Sequence, residues 1–460
     1  MIRGPREGTG GSLRRSAAAG STSPLAILWR KAPLLLPLAI LACALSGCTP
    51  SARMLPANQQ APIDRSLLSY PTGFVVQPYI RNLTAPTAIA WDTDGSLLVA
   101  EGGSYSEEPR IIAFRKDGST STIYPQRRQL FVDIGKPHFT MYGPIGGMLV
   151  YNGLIYVSHR DADGFGMISA LDRHGGHTTI VAHLPARGDY AVTDLTIDPR
   201  LHRLYFGVGA ATNSGVVGID NWEWVRELPQ VHDQSFVRLH LNGYRFDSPN
   251  PFSGLFGPAD IAVTAPFQPF NVSNQTEIDA SKLPNAAIYS CSPSGGDLRV
   301  EATGIRYPRG LAWNRLYAVY FTNEGMELRG TRPVKNDPDA LLRLIENDWY
   351  GWPDYTADLQ PVENDRFQPP PEMIAHTGYN RVLFVINHNA TNLEPPVESR
   401  RDDMLHGTFA PLSGAAKMDF VPNDGPFKRY AGQAVVALSG DVAPYSTSGR
   451  PIIGPIGFKV

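Results

Sequence analysis

Pairs of apolar strands recur along the chain from residue 83 onward. In the first pair, an apolar run over residues 83–92 reaches an Asp94-Gly95 turn and continues through residues 96–101. Asp/Asn-Gly or Asp-Pro turns between strand-like runs are typical of β-hairpins. Four further hairpins, spaced unevenly near roughly 50 to 60 residues, are predicted at residues 146–159, 194–209, 310–322 and 418–440.

Second hairpins follow three of these copies, at residues 111–124, 167–181 and 288–300. Two consecutive hairpins make a four-stranded antiparallel unit, which is the blade of a β-propeller. We therefore predict an all-β fold, a six-bladed β-propeller of four-stranded antiparallel blades. A β-sandwich or a β-helix is the alternative architecture.

Two long stretches do not fit the blade pattern. Residues 215–276 and 354–412 are rich in aromatic residues and proline, and we expect them to form long loops that decorate one face of the propeller. The sequence stops at residues 457–460, which look like the start of a strand, so the last blade is expected to be incomplete.

The N-terminus has the features of an export signal. Arg30 and Lys31 precede an apolar run over residues 32–44, which is shorter than the about 20 residues that span a bilayer. The run ends in Leu45-Ser46-Gly47-Cys48, which looks like a bacterial lipobox. An ordinary signal peptide or a signal anchor is the alternative.

This pattern predicts three regions and a location. They are a lipoprotein signal peptide at residues 1–48 with lipidation at Cys48, a flexible tether at 49–70, and the propeller domain at 71–460. We expect the protein in the cell envelope, lipid-anchored to a membrane and facing the periplasm or the exterior.

Composition narrows the function classes. The 460 residues carry a net charge of −2 with both signs interspersed, so nucleic acid is not an expected partner. Of the three cysteines, Cys43 is removed with the signal and Cys48 is acylated, which leaves Cys291 alone and predicts no disulfide. Cys291 is expected to be a buried small residue.

Polar residues are densest between residues 304 and 355. Arg306 precedes a strand, a polar loop begins at Asn323, and Asp337 and Asp339 come before Tyr350-Gly351-Trp352-Pro353. Loops that leave buried strands are where a rigid scaffold commonly presents a site. No Gly-x-Ser-x-Gly, His-Glu-x-x-His, zinc or phosphate-loop motif is present.

These motifs resemble a known family. Residues 304–312 and 349–354, with weaker matches at 203–215 and 455–460, are similar to the glucose/sorbosone dehydrogenase family of soluble six-bladed propellers that use pyrroloquinoline quinone (PQQ). The resemblance covers residues 83–460. It implies a quinone-dependent oxidoreductase that uses PQQ and calcium, acts on a hydroxyl group of a sugar or polyol, and has an electron acceptor in the envelope.

The resemblance also implies residue roles. Arg306 would bind the quinone, since a planar guanidinium suits carboxylates and carbonyls. Backbone carbonyls of Gly325 and Met326 would bind calcium, a cation that prefers oxygen ligands. The other expected cofactor contacts are Asn213, Asn323, Arg329, Asp339 and Trp352. Two alternatives stay open, namely that Arg306 packs structurally between blades and that Asp339 caps a helix-like run at residues 340–345.

The expected catalytic base is missing. The family places a histidine where this chain has Tyr190, and a tyrosine with a pKa near 10 is a poor base at neutral pH. Asp189 could substitute, although one step along a strand points a side chain to the other face. Tyr307 also replaces an asparagine of the family. The candidate catalytic set is therefore Tyr190, Asp189 and Arg306.

Two other functions are alternatives, the first because of these departures and the second because such enzymes share the propeller architecture. One is a propeller that binds or scaffolds without redox activity. The other is a calcium-dependent lactone hydrolase, for which Glu101, Asn213 and Asp441 are the candidates around a central cation. His138, His159 and His183 are each expected to be surface or structural residues.

Overall fold

The computed structural model describes residues 72–102, 109–126, 131–133, 136–138, 141–174, 176–252, 260–314, 316, 318–396 and 398–440. The signal peptide with Cys48, the tether, Asp441 and residues 455–460 lie outside the described residues.

Short strands make up most of the described fold. In chain order they are β1 Pro86–Trp91, β2 Leu97–Glu101, β3 Arg110–Phe114, β4 Thr120–Tyr124, β5 Phe131–Asp133, β6 Lys136–His138, β7 Tyr142–Tyr151, β8 Leu154–Arg160, β9 Gly166–Leu171, β10 His177–Leu184, β11 Val192–Asp198, β12 Arg203–Val208, β13 Leu239–His240, β14 Phe246–Pro249, β15 Ile261–Thr264, β16 Glu277–Ile278, β17 Ala287–Cys291, β18 Arg299–Thr303, β19 Pro308–Trp313, β20 Val319–Asn323, β21 Asp339–Arg343, β22 Asp348–Trp349, β23 Leu405–Phe409, β24 Ala415–Phe420 and β25 Ala434–Leu438.

Helices are few and short. The α-helices are α1 Trp222–Val225, α2 Pro371–Ile374 and α3 Glu398–Met404, and the 3-10 helices are Ile219–Asn221, Asp365–Phe367, Ala375–Thr377 and Lys428–Tyr430. Among the residues described, no helix is both long enough and apolar enough to cross a membrane.

The strands form a series of antiparallel sheets. The first sheet has the order β1-β2-β3-β4 and the second β7-β8-β9-β10. The third sheet is β11-β12-β17-β18, to which β22 adds in parallel, and the fourth is β19-β20-β21-β23. Strands β24 and β25 form the inner pair of a fifth. Every hairpin that the sequence predicts is present, since each apolar run pairs with its neighbour across the expected turn.

Apolar side chains lie between neighbouring sheets. One buried cluster joins the first and second sheets through Leu98 and Met148, and another joins the second and third through Ile168 and Phe206. Similar clusters lie between the third and fourth and between the fourth and fifth sheets. The innermost strands pack in the order β1, β7, β11, β19 and β24. This face-to-face succession of four-stranded sheets is the β-propeller arrangement, which confirms the predicted all-β class.

The described residues complete four of the six predicted blades. Besides these four sheets they form four two-stranded pairs, which are β5–β6, β13–β16, β14–β15 and β24–β25. The long interval before β19 contributes β17 and β18 to the third sheet, and the rest of it forms loops with the short pairs β13–β16 and β14–β15. The alternative that Asp339 caps a helix-like run at residues 340–345 is wrong, because Asp339–Arg343 form strand β21, which pairs with β20 and β23.

The segment before β1 contacts both ends of the series of sheets. The Phe74 ring stacks on Phe427, next to the fifth sheet, with centroids 5.9 Å apart. The rings of Tyr79 and of Trp91 in β1 pack edge to face, with centroids 6.4 Å apart. Trp91 and Ile89 of β1 are nevertheless 59% and 66% exposed, whereas the inner strands with neighbours on both sides are largely buried.

The inner strands come close enough to require glycine. A Cβ added to Gly310 of β19 would lie 2.1 Å from the carbonyl oxygen of Ala416 in β24, and one added to Gly146 of β7 would lie 2.0 Å from that of Val192 in β11. Carbonyl oxygens of a paired strand cannot move aside as a flexible side chain can. The close contacts at these two glycines therefore set the distance between neighbouring blades.

We expect Gly310→Ala to lower the free energy of unfolding by about 1–3 kcal/mol, because the added methyl group overpacks the contact between β19 and β24. Gly407→Ala on β23 is the matched control, since its added Cβ would meet only Leu341 at 3.6 Å. Urea unfolding measures both variants. Equal stability of the two variants would contradict the close approach.

Candidate functional site

A buried group of charged and polar side chains lies where the third and fourth sheets meet. We call it the Arg306 cluster. Its members come from the segments before β11, after β12, before β19 and between β20 and β21, and they are Asp189, Tyr190, Asn213, Asp220, Arg306, Glu327 and Arg329.

Arg306 is at the centre of this cluster and is 1% exposed. Its Nε donates to the Asn213 carbonyl at 3.0 Å, and its Nη1 donates to the Gly325 carbonyl at 2.6 Å. Nη2 faces the Asn213 Oδ1 at 2.9 Å, the Glu327 Oε1 at 2.7 Å and the Tyr190 hydroxyl. Every nitrogen of the guanidinium group is therefore hydrogen-bonded by the protein itself.

Glu327 joins the two arginines of the cluster. Its Oε1 accepts from Arg306 and from the Tyr190 hydroxyl at 3.0 Å, and its Oε2 accepts from Arg329 Nε at 2.7 Å. Burial alone would raise the pKa of Glu327, but Arg329 and Arg306 beside it lower this pKa to about 2. Glu327 is consequently ionised throughout the physiological range.

Arg329 connects the cluster to a decorating loop. Its Nη1 donates to Asp220 at 2.6 Å and its Nη2 to Asp189 at 2.7 Å. Burial raises the pKa of Asp220 to about 6, despite the opposing charge of Arg329. Asp220 Oδ1 is buried and has no hydrogen-bond partner among the residues that the structure describes. The cluster thus sets three carboxylates against two guanidinium groups, and it offers no excess positive charge.

The loop between β20 and β21 is held from both sides. Asp339 accepts from the Gly325 N–H at 3.0 Å, and Asp337 accepts from the Met326 N–H at 2.6 Å. Asn213 accepts from the Glu327 N–H at 2.9 Å. Burial, and then the charge of Glu324, raise the pKa of Asp339 to about 7. In this arrangement Asp337 and Asp339 serve as acceptors for backbone N–H groups.

The structure brings the predicted site residues together. Trp352 donates to the Asn213 carbonyl at 3.1 Å, and the Asn323 side chain accepts from the Tyr307 N–H at 3.0 Å. The rings of Tyr307 and Tyr190 stack at 4.3 Å. Nine of the ten predicted catalytic, cofactor and metal positions are thus linked through contacts, and Met326 follows Gly325 in the chain with its N–H bonded to Asp337. Their functional roles stay predictions.

Both proposed bases are hydrogen-bonded within the protein. Burial raises the pKa of Tyr190 well above its ordinary value of 10.0, against the opposing charge of Arg306. Asp189 Oδ1 accepts from Asn221 at 2.9 Å and from Trp224 at 2.7 Å, while Oδ2 accepts from Arg329 at 2.7 Å. Both carboxylate oxygens of Asp189 are therefore occupied by donors of the chain itself.

The donors of the cluster do not fit the expected quinone as they are arranged. An anionic quinone needs N–H donors directed into open space and net positive charge. Here the donors of Arg306 are taken up by Asn213, Gly325, Glu327 and Tyr190, and carboxylates neutralise both arginines. The guanidinium donors suit a carboxylate, but the carboxylate of Glu327 in this chain already occupies that position.

One of the expected calcium ligands is also already hydrogen-bonded within the protein. The Gly325 carbonyl, one of the two expected ligands, accepts from Arg306 Nη1 at 2.6 Å, and a bound cation would compete with that guanidinium group. In the part of the chain that the structure describes, no group of three or more His, Cys, Asp or Glu side chains could hold a metal ion. We therefore derive no reaction step through calcium or the quinone.

The lactone hydrolase residues do not share partners. Glu101 accepts from the Thr84 N–H at 2.7 Å and forms an ion pair with Arg110 on the first sheet. Asn213 belongs to the Arg306 cluster, and Asp441 lies outside the described residues. No hydrogen bond or ion pair joins Glu101 to Asn213 among the described contacts.

The histidine and cysteine predictions can be followed in part. His159 is buried and bonded to the Arg160 carbonyl and the Ser169 hydroxyl, both at 2.7 Å, and burial lowers its pKa to about 4. It is a structural residue, as expected. His183 is exposed, and the side chain of His138 is outside the described part. Cys291 is buried, and burial raises the pKa of its thiol to about 12, so its predicted packing role is confirmed.

Sequence reasoning missed two members of the cluster. Glu327 lies two residues from Arg329 in the predicted site loop, and this pairing of opposite charges was the available signal. Asp220 lies in the decorating stretch 215–276, and nothing in its local sequence marks it. Its place beside Arg329 depends on Gly330, because a Cβ there would lie 2.5 Å from the Asp220 carboxyl group.

Comparison with known proteins adds a likeness of fold. No protein-family model matches the chain, and no curated protein matches it. Solved structures similar to it include PQQ-dependent sugar dehydrogenases. The PQQ-bound aldose sugar dehydrogenase from Streptomyces coelicolor is 13% identical, covers 74% of this chain and 72% of that chain, and gives a TM-score of 0.37.

Two further structures show the same level of likeness. The holo PQQ domain of pyranose dehydrogenase from Coprinopsis cinerea is 14% identical, covers 83% and 75% of the two chains, and gives a TM-score of 0.40. A gluconolactonase from Xanthomonas campestris is 13% identical, covers 57% and 60%, and gives 0.28. At these identities and scores the comparisons decide nothing about activity, which has to be argued from the residues.

We expect Glu327→Gln to lower the free energy of unfolding at pH 7 by about 3–5 kcal/mol, because it leaves two buried guanidinium groups without their shared carboxylate. The effect of the ionised group is present above its unfolded pKa of 4.5 and is lost as the pH falls toward its folded pKa of about 2. Denaturant unfolding between pH 3 and 8 measures the difference.

The matched control for this prediction is Glu223→Gln, at an exposed position on α1. A stability difference between wild type and Glu327→Gln that stays constant down to pH 3 would show that the ionised carboxylate is not its source.

Proposed function

We propose that this chain is a β-propeller that binds a small molecule at the cell envelope without quinone-dependent redox chemistry. The observation that supports this most directly is that Arg306 has no free hydrogen-bond donor. Its side chain is 1% exposed, and all of its guanidinium nitrogens are hydrogen-bonded to groups of the protein. A cofactor bound to Arg306 would leave Glu327 and the Gly325 carbonyl without their hydrogen-bond donor. A buried polar group without a hydrogen bond costs about 1–3 kcal/mol.

A quinone-dependent dehydrogenase acting on a sugar or polyol is the second candidate. Its support is the convergence of Arg306, Asn213, Arg329 and Tyr190 on one buried centre, where the resemblance places a cofactor. In that case Arg306 and Asn213 would hold the quinone and the Gly325 carbonyl would hold calcium, and the quinone would supply the oxidation of a substrate hydroxyl, with its electrons going to an acceptor in the envelope.

Titration of the purified full chain with PQQ and calcium distinguishes the two candidates. We expect no saturable change in the quinone absorbance and no calorimetric heat of binding, because no N–H of Arg306 is directed at open space. An established PQQ sugar dehydrogenase serves as the positive control. A bound quinone whose spectrum is reduced by an aldose would reject the binding function in favour of the dehydrogenase.

We further propose that the ring has six blades, as the sequence pattern predicts. The five inner strands pack in succession, and the uncovered side chains of Ile89 and Trp91 on β1 are consistent with a position for one more sheet.

We also propose export, with residues 1–48 as the signal, residues 49–70 as the tether and a lipid on Cys48. The support is the apolar run followed by Leu45-Ser46-Gly47-Cys48. The inner and outer membranes are equally compatible with this sequence.

We expect Cys48→Ser to move the protein from the membrane fraction to the soluble fraction and to abolish labelling by a fatty-acid probe, because the acylated thiol is lost. Cys43→Ser, inside the predicted signal, is the matched control and should keep both. Retention of Cys48→Ser in the membrane with an uncleaved N-terminus would point instead to a signal anchor.

A further inference from the structure

Aromatic and basic side chains come together where the described part of the chain begins. Phe74 stacks on Phe427 with ring centroids 5.9 Å apart, and the ring of Tyr430 lies 6.1 Å from that of Phe74. The guanidinium carbon of Arg429 lies 5.7 Å from the centre of the Phe74 ring and 4.6 Å from that of the Tyr430 ring. We call Phe74, Phe427, Lys428, Arg429 and Tyr430 the Phe74 patch.

Most of the Phe74 patch faces solvent. Phe427 is 50% exposed, and both cations of the patch are exposed. Val75 and Val76, which follow Phe74 in the chain, are 74% and 43% exposed. A single exposed apolar residue is ordinary on a protein surface, whereas a group of exposed rings and valines is typical of an interaction surface.

The net charge around these apolar groups is positive. The loop between β24 and β25 carries two cations, Lys428 and Arg429, and one carboxylate, the exposed Asp424. Residues 72–80, which supply Phe74, carry no charge. An anionic surface would therefore attract the patch, and a cationic one would repel it.

The position of the patch in the chain indicates which surface it meets. Residues 49–70 are the predicted tether between the lipid-bearing Cys48 and the propeller, and Phe74 lies four residues after the end of that tether. The proposed anchor would hold this part of the domain close to a bilayer. Aromatic side chains suit the interfacial zone of a bilayer, and lysine and arginine suit its anionic headgroups.

We propose that the Phe74 patch docks the propeller on the surface of an anionic bilayer. Phe427 and Val75 would enter the interfacial zone, while Lys428 and Arg429 would face lipid phosphates. The stacking of Arg429 on aromatic rings keeps its charge at the same surface as the apolar groups. This inference rests on the proposed lipid anchor, and it adds a second contact between the protein and the membrane.

The test places the purified full chain in vesicles and reads a polarity-sensitive fluorophore attached to Val75→Cys. Cys48 is acylated in the proposed mature protein and Cys291 is buried, so the introduced thiol is the one that reacts. Leu298→Cys, 38% exposed in the turn between β17 and β18, is the matched control position. The vesicles are phosphatidylcholine, with or without phosphatidylglycerol, and quenching by iodide measures the exposure of the label.

We expect the label at position 75 to shift to the blue and to become at least fivefold less accessible to iodide when phosphatidylglycerol is present. One lysine or arginine near an anionic surface contributes about this factor, and salt at roughly 1 M should remove the effect by screening. The label at position 298 should not change. Equal quenching at position 75 in both kinds of vesicle would overturn the proposal.

A label at position 75 that iodide cannot reach even without vesicles would also overturn the proposal, because protein would then cover the patch. Shielding without vesicles that increases with protein concentration would identify a second copy of the chain as the covering partner instead.

Lys428→Gln combined with Arg429→Gln removes both cations and keeps the three rings. We expect this double variant to lose the effect of phosphatidylglycerol on the label and to keep the unfolding midpoint of the wild type. Lys282→Gln combined with Arg238→Gln, at two exposed positions elsewhere, is the matched control and should keep the effect. An undiminished effect in the first double variant would contradict the role of the two cations.

Failure of the docking and failure of the anchor give different results. Fatty-acid labelling reports the lipid on Cys48 whatever happens at position 75. A lipidated chain whose label ignores phosphatidylglycerol would reject the docking alone. A chain without lipid would reject the anchor, and the label at position 75 would then report docking on vesicles added to the purified chain.

Discussion

One buried guanidinium group, with all of its nitrogens hydrogen-bonded, holds together the loops at the centre of this protein. Arg306 reaches the segment before β11, the segment after β12 and the loop after β20, which are distant in sequence and meet at its side chain. Burying an arginine is costly unless each N–H finds an acceptor and the charge is balanced. Asn213, Glu327 and the Gly325 carbonyl meet both requirements, so these segments are held in one arrangement.

That arrangement determines which parts of the molecule can act chemically. A guanidinium group that holds loops together cannot also offer its N–H groups to a cofactor without losing those contacts. In the same network Tyr190 is a neutral hydrogen-bonding group, and Asp189 accepts from three donors.

The propeller frame and the cluster depend on different forces. Apolar clusters between neighbouring sheets and the close approach of inner strands at Gly146 and Gly310 set the positions of the blades. Polar contacts then connect blades at their edges, as where Lys417 of β24 forms a 2.8 Å ion pair with Asp194 of β11. The frame follows from local pattern and packing, whereas the cluster needs groups delivered from several loops at once.

The sequence by itself determined the strands, their hairpin pairing, the all-β class and the packing role of Cys291. These depend on local information, because alternating apolar residues and Asn-Gly or Asp-Gly turns specify neighbours along the chain. It also selected Arg306, Asn213 and Tyr190 as members of one site. Only the tertiary structure decided that Glu327 and Asp220 neutralise the arginines and that residues 339–343 form a strand. The physical reason is that charge balance in a buried site also depends on groups far apart in sequence, such as Asp220 and Arg329, which are 109 residues apart and whose meeting no local pattern records.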